Sequence, residues 1–169
     1  LNSMKNWENV CIVDTVCSLR VDHTFVFVPS VPNGRFIEAL QTVNNWMEST
    51  FIFAQQEFRG CQFGHAQSEK GDIWDVSYPQ IISGHIHNKQ EPQSNIRYTG
   101  SSMQTTFGED DNPSILLSTI CDTIQHDEIF LCLPSKKTID LTMDELYTFQ
   151  YEMSEHKLKI VVTGLYTEF

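Results

Sequence analysis

Tyr78-Pro79-Gln80-Ile81-Ile82-Ser83-Gly84-His85-Ile86-His87 is the stretch on which the fold turns. The run up to Ser83 reads as a short buried strand. Gly84 follows as a tight turn, from which His85 and His87 project toward one side. Imidazole is the commonest metal ligand among side chains, so a strand tip that carries two of them can form part of a metal site. The bland alternative for such a pair is two surface or hydrogen-bonded histidines. The glycine and the apolar strand before it favour the metal reading.

Outward from this strand, other β-branched or aromatic runs predict strands at 10–15, 24–29, 50–54, 96–99, 114–121, 128–134 and 157–163. Helical spacing appears at 35–47, where Phe36, Leu40, Val43 and Met47 share a face behind the Pro32-Asn33-Gly34 turn. A second helix is expected at 142–154, with Thr142 as N-cap and Glu145 completing a capping box. Residues 60–76, with three glycines and many polar side chains, read as a long loop beside the histidine turn, where functional loops often lie. Asp110-Asp111-Asn112-Pro113 reads as a turn. The pattern is strand-rich α/β.

The bulk composition narrows the function classes. The chain has 169 residues, 40% of them hydrophobic and 11% aromatic, which suits a globular chain. Its formal charge of −11, from 22 acids against 11 bases, is no footprint for nucleic acid. No apolar run is long enough to span a bilayer, and no membrane partner is expected. The polar start, with Lys5 and Glu8, is unlike a signal peptide. Five cysteines without a CxxC pair read as reduced core residues in the cytoplasm or another reducing compartment, Cys61 being the least typical. The chain opens on Leu1 within an amphipathic segment (Leu1, Met4, Trp7), which suggests a piece of a longer protein.

Several motifs together carry a family resemblance. Gly84-His85-Ile86-His87 after a hydrophobic strand resembles the last motif of the calcineurin-like metallophosphoesterases. Tyr98-Thr99-Gly100-Ser101-Ser102 on the next strand, and the following segment through Phe107-Gly108-Glu109, are similar to the nuclease branch of SbcD-like and phage recombination endonuclease subunits. Phe51-Ile52-Phe53-Ala54-Gln55-Gln56 resembles the family's strand-plus-ligand motif. The resemblance covers roughly residues 10–133. It implies an incomplete two-sheet sandwich flanked by helices, with residues 1–134 as the C-terminal part of the phosphoesterase domain. Residues 135–169 would begin a capping domain.

The resemblance also implies chemistry. Two divalent cations roughly 3.5–4 Å apart would clamp the phosphate oxygens of a phosphoester. Mn²⁺ is expected first, with Zn²⁺ or Fe as alternatives. By analogy His85 would bind the second metal and His87 the first, and Gln55 stands where the family places a histidine. A Gln carbonyl oxygen is a poorer transition-metal ligand than imidazole. The implied substrate is DNA, with other phosphoesters open. The implied partners are an SMC-like ATPase of the SbcC type and a second copy of the chain.

The departures from the family shape what is expected of this chain. Three earlier motifs, Asp-x-His, Gly-Asp-x-x-Asp and Gly-Asn-His-Asp/Glu, do not occur in order. No catalytic residue is therefore assigned, and the chain alone is expected to be inactive. Gly71-Asp72-Ile73-Trp74-Asp75 matches the second motif as a string, but it lies between the two His-type motifs, so it reads as a solvent-facing or lid-like loop. Trp74 could line a cleft but reads as packing. His23, His126 and His156 lack companions, while His65 could approach the cleft. Two rivals remain: a non-catalytic phosphoesterase-like remnant, and a single-metal cupin using His85, His87 and Glu91.

Overall fold

The computed structural model describes residues 3–64, 66–121, 123–152 and 155–165. In chain order the elements are β1 (Cys17–Arg20), β2 (Thr24–Val28), α1 (Phe36–Leu40), β3 (Phe51–Ala54), β4 (Gln62–Phe63), β5 (Ala66–Gln67), β6 (Gln80–Ser83), β7 (Gln90–Gln93), β8 (Ile96–Tyr98), β9 (Ser114–Ile120), β10 (Ile124–Phe130), β11 (Lys136–Thr142), α2 (Met143–Thr148) and β12 (Lys157–Thr163). Short 3-10 turns occupy Ser3–Asn6 and Trp46–Glu48. The chain is mixed α/β and rich in strands. It divides into two compact units, Leu1–Thr99 and Gly100–Phe169.

The first unit is built on a six-stranded sheet in the order β1-β2-β3-β6-β8-β7. Its four middle strands run parallel, and β1 and β7 close the edges antiparallel. Alternation places Val26, Val28, Ile52, Ile81, Ile96 and Tyr98 on one buried face. Ile52, Ile81 and Ile96 lie in register across three strands. Each such side chain contributes roughly 1.5–3 kcal/mol on burial. Phe36 and Leu40 of α1 cover this face. Phe36, Phe58, Trp74, Trp46 and Tyr78 extend it as an aromatic cluster of mostly perpendicular or tilted ring pairs. Trp74 Nε1 donates to the Pro79 carbonyl at 3.0 Å, so this side chain is packing, as expected.

In the second unit β9 and β10 form an antiparallel hairpin, while β11 and β12 pair in parallel. α2 lies on the crossover that parallel pairing requires. The capping box is present: Thr142 Oγ1 accepts from Glu145 N at 3.3 Å, and Glu145 Oε2 accepts from Thr142 N at 2.7 Å. These bonds from the Thr142 backbone and hydroxyl hold the Glu145 carboxyl below its ordinary value near 4.5. A depressed folded value means the cap stabilises α2 above that ordinary value and is lost as pH falls through the depressed one. Protection of the Thr142 and Glu145 amides, taken relative to the intrinsic exchange rate at each pH, is therefore expected to fall as pH drops below the ordinary carboxyl value. In Glu145→Gln this pH dependence should vanish; an unchanged profile in the variant would refute the cap's role.

Several local expectations need correction. The run 10–15 is not a strand, because strand residues need an edge to pair with, and β1, starting at Cys17, takes the edge of β2. The helix expected at 35–47 stops at Leu40. Thr42, Val43, Asn44 and Asn45 are poor helix formers, and Asn45 adopts the left-handed region at φ 57° before the Trp46–Glu48 turn. The strand expected at 128–134 is shifted to β10 by its register with β9. β7 and β11 lacked a strand signal: Pro92 and the glutamines obscure the first, and lysines the second. α2 ends at Thr148, with Phe149 extended, well short of 154. Residues 153 and 154 lie outside the described residues. The cysteines are free, but Cys11, Cys121 and Cys132 are exposed rather than core, while Cys61 is buried. Burial pushes the Cys61 thiol up.

Candidate functional site

Parallel α/β sheets gather their chemistry at the carboxyl ends of the strands, where successive loops leave the sheet on one edge. Here β3 and β6 are direct neighbours, with Ala54 opposite Ser83, so Gln55 and Gly84 emerge side by side. Gly84 N donates to the Ala54 carbonyl at 3.1 Å. A Cβ on Gly84 would sit 3.0 Å from Gln55 Oε1, so the glycine leaves room for that side chain. In the turn that follows, His85 is half-buried, Ile86 is buried and His87 is exposed. Ile86 anchors the turn and its two flanking imidazoles belong to the surface. Gln55 and the His85–His87 turn, 30 residues apart by their numbers (85 − 55), thus meet at one end of the sheet.

A layer of buried polar groups supports the site. The Ser83 hydroxyl donates to the Gln56 carbonyl at 2.9 Å and accepts from Gln56 N at 3.2 Å and His85 N at 3.4 Å. The Tyr98 hydroxyl donates to the same Gln56 carbonyl at 3.1 Å and accepts from Phe58 N at 2.8 Å. Burial pushes the Tyr98 phenol above its ordinary range, so it stays a neutral donor. The Gln56 side chain donates to Asp72 Oδ2 at 2.7 Å and accepts from Val31 N at 3.2 Å. Asp72 Oδ1 accepts from Gly34 N at 3.0 Å and Phe36 N at 3.2 Å, capping α1 from a distant segment.

Sequence reasoning missed Ser83, Gln56, Asp72 and Tyr98 as supports of the site. Each had been assigned to a strand, to a motif or to a loop. The one visible signal was Gln55-Gln56 directly after a strand, where alternation sends one amide to the surface and the next inward. The Gly71–Asp75 segment also needs correction. It is not a solvent-facing or lid-like loop, because Gly71, Asp72 and Trp74 are buried. Its Asp72 forms a parallel bridge with Phe58, with Arg59 N donating to the Asp72 carbonyl and Asp72 N to the Glu57 carbonyl, both at 2.9 Å. A buried carboxylate that satisfies three donors holds the loop in place. The long loop also contains the β4–β5 hairpin.

The remaining sequence candidates are placed as follows. His126 Nδ1 meets the Ser118 hydroxyl at 2.9 Å, and His156 Nδ1 accepts from Ser135 N at 2.9 Å. His65 lies outside the described residues. Glu109 accepts from Thr105 N and Thr105 Oγ1, both at 2.6 Å, which closes the 104–109 turn in the second unit. Glu91 on β7 accepts from Arg97 Nε at 2.6 Å. That ion pair, and the four parallel central strands, set aside the cupin, which is an antiparallel double-sheet fold.

The donor set is partial. Among the described residues, no group of three or more His, Cys, Asp or Glu side chains could hold a metal ion. His85, His87 and Gln55 offer two imidazoles and one amide, and these do not make a metal centre by themselves. An open groove of about 600 Å³ beside α1, lined by Val16, Val31, Pro32 and the Arg35–Glu38 ion pair, contains none of the three.

No family model matches the chain. It is similar to the protein named "Putative phosphoesterase 244L" of Invertebrate iridescent virus 6, at 37% identity over 178 aligned positions covering 100% of this chain and 63% of that protein. It is also similar to "Putative phosphoesterase 078R" of Invertebrate iridescent virus 3, at 40% identity over 181 positions, 100% of this chain and 51% of the relative. The chain is a relative of proteins named as phosphoesterases. It spans between about half and just under two thirds of their length. Among the described residues, no helix is long and apolar enough to cross a membrane.

Proposed function

We propose that this chain is part of a metal-dependent phosphoester hydrolase of the calcineurin-like type, in the nuclease branch. One observation carries the reading. Gln55 and Gly84-His85-Ile86-His87 lie side by side at the carboxyl ends of adjacent parallel strands, in a chain related along its length to proteins named as phosphoesterases. The order of the two motifs, with Tyr98 on the strand after them and Gly100 following it in sequence, supports the nuclease branch. Residues 1–134 would form the C-terminal part of the catalytic domain and 135–169 the start of a capping domain. Its cofactors would be two divalent cations, Mn²⁺ first and Zn²⁺ or Fe otherwise. His85 and His87 would supply ligands, with Gln55 in a third position; the other donors would come from sequence outside this chain. DNA is the proposed substrate. An SMC-like ATPase of the SbcC type and a second copy are the proposed partners.

A second reading, a non-catalytic remnant, is favoured by Gln55 and by the incomplete donor set. The two are separated by metal content and Mn²⁺-dependent hydrolysis of bis-p-nitrophenyl phosphate. Both would be measured on this chain and on the protein with its upstream coding sequence, with and without Gln55→His. In the longer protein, Gln55→His should tighten Mn²⁺ binding by more than the roughly 10–100-fold typical of outer-shell changes, because it replaces an amide oxygen with imidazole at the metal. Hydrolysis should appear only in the longer protein. No metal and no turnover in any form would leave the non-catalytic remnant.

A further inference from the structure

The β4–β5 hairpin places an aromatic ring beside the histidine turn. Phe63 and His85 have ring centroids 6.4 Å apart and planes at 86°. Phe63 is nonetheless 44% exposed, so the contact with His85 leaves much of its ring open to solvent. Bonds made at its neighbour Gln62 fix the strand that carries it. Gln62 N donates to Gln90 Oε1 at 2.7 Å, and Gln90 Nε2 donates back to the Gln62 carbonyl at 3.0 Å. Gln90 begins β7, directly after the histidine turn, so this pair of bonds ties the strand carrying Phe63 to the segment carrying His85. The base of the hairpin is fixed as well. Ser68 N donates to the Cys61 carbonyl at 2.7 Å, Gly60 N to the Ser68 carbonyl at 2.9 Å, and Gln67 Nε2 to the Gly60 carbonyl at 3.0 Å. Cys61, adjacent to Gln62, is fully buried.

A rigidly mounted, open aromatic face beside a polar site is suited to stacking. Stacking is tolerant of the partner's identity, because it needs only a planar π-face. We propose that Phe63 is a specificity-determining residue that stacks a planar ring carried by the phosphoester whose phosphate lies at the His85–His87 turn. This rests on the reading of that turn as a phosphoester site. Phe63 and His85 are near enough for one ligand to set its phosphate at the turn and its planar group on Phe63. Aliphatic phosphoesters would use the same turn without this contact.

The test is an NMR titration of the His85 and Phe63 ring signals in this chain, with the diamagnetic Zn²⁺ present, using methyl phosphate, phenyl phosphate and AMP. The wild-type chain should bind at least one of the two planar esters about tenfold more tightly than methyl phosphate, the lower part of the range that stacking supplies. Preference for phenyl phosphate indicates a directly esterified ring, and preference for AMP a base held across a sugar. In Phe63→Leu the ratio should fall toward one, and in Phe63→Trp it should be kept or increased. A ratio near one in the wild type overturns the proposal, as does a ratio that survives in Phe63→Leu, or no binding by any of the three. Planar esters that bind through Phe63 without shifting His85, while methyl phosphate fails to bind, would uphold stacking and sink the phosphoester reading of the turn.

Discussion

His87→Ala is expected to abolish Mn²⁺-dependent hydrolysis of bis-p-nitrophenyl phosphate by the protein carrying its upstream sequence, with a fall in kcat/KM of about 10³-fold or more. The same substitution should barely change stability. His87 is exposed, and it is Ile86, buried beside it, that anchors the turn. Truncation of an exposed side chain usually changes stability by about 0.5 kcal/mol or less. Loss of activity with an unchanged melt therefore separates a chemical role from a structural one. His85→Ala is a less clean test, because that ring also packs against Phe63. Wild-type turnover in His87→Ala would remove the phosphoesterase assignment of this turn.

Gly71→Ala should cost the first unit about 4 kcal/mol or more, among the largest effects of a single methyl group. A Cβ at this position would meet the Phe58 carbonyl carbon at 2.5 Å, Arg59 N at 2.7 Å and the Phe58 carbonyl oxygen at 2.8 Å. All three are backbone atoms, so no side chain can rotate away. Relief requires the 57–59 and 71–72 segments to part, which breaks both backbone bonds around Asp72. It also draws the Asp72 carboxylate away from Gly34 N, Phe36 N and Gln56 Nε2. Each buried donor left unsatisfied costs about 1–3 kcal/mol. For a chain of this length the midpoint should fall by about 10 °C or more. Trp46 and Trp74 lie in the adjoining cluster and report the loss by fluorescence. Ile73→Ala, two residues on and 66% exposed, is the matched control with almost no expected effect. A Gly71→Ala melt coincident with the wild type would contradict the close backbone approach.

The central strands were legible for a physical reason. Parallel strands buried on both faces must be nearly continuous in apolar, β-branched residues, and Phe51-Ile52-Phe53 and Ile81-Ile82 are such runs. The capping box was legible because all its partners lie within four residues, Thr142 to Glu145. Edge strands were not. β7, with Gln90-Glu91-Pro92-Gln93, has no strand signature of its own and forms because β8 offers it an edge. Helix length was misjudged at 35–47, since a shared apolar face does not outweigh Asn44-Asn45, and Val43 still packs against the core from outside the helix.

The histidine turn was the property of its own ten residues: a β-branched strand, a glycine and two imidazoles around an isoleucine determine a strand tip that presents polar rings. What stands beside that tip was decided by tertiary structure. Strand order places β3 next to β6 and so brings Gln55 to Gly84. Buried hydrogen bonds between Gln56 and Ser83, spanning 27 residues, then lock the two motifs together, and bonds spanning 16 residues to Asp72 and 42 to Tyr98 hold Gln56 in the fold. Such bonds leave no mark on local periodicity. A buried glutamine or aspartate is tolerated only where the whole fold supplies its partners, and those partners come from segments that meet only once the sheet has formed.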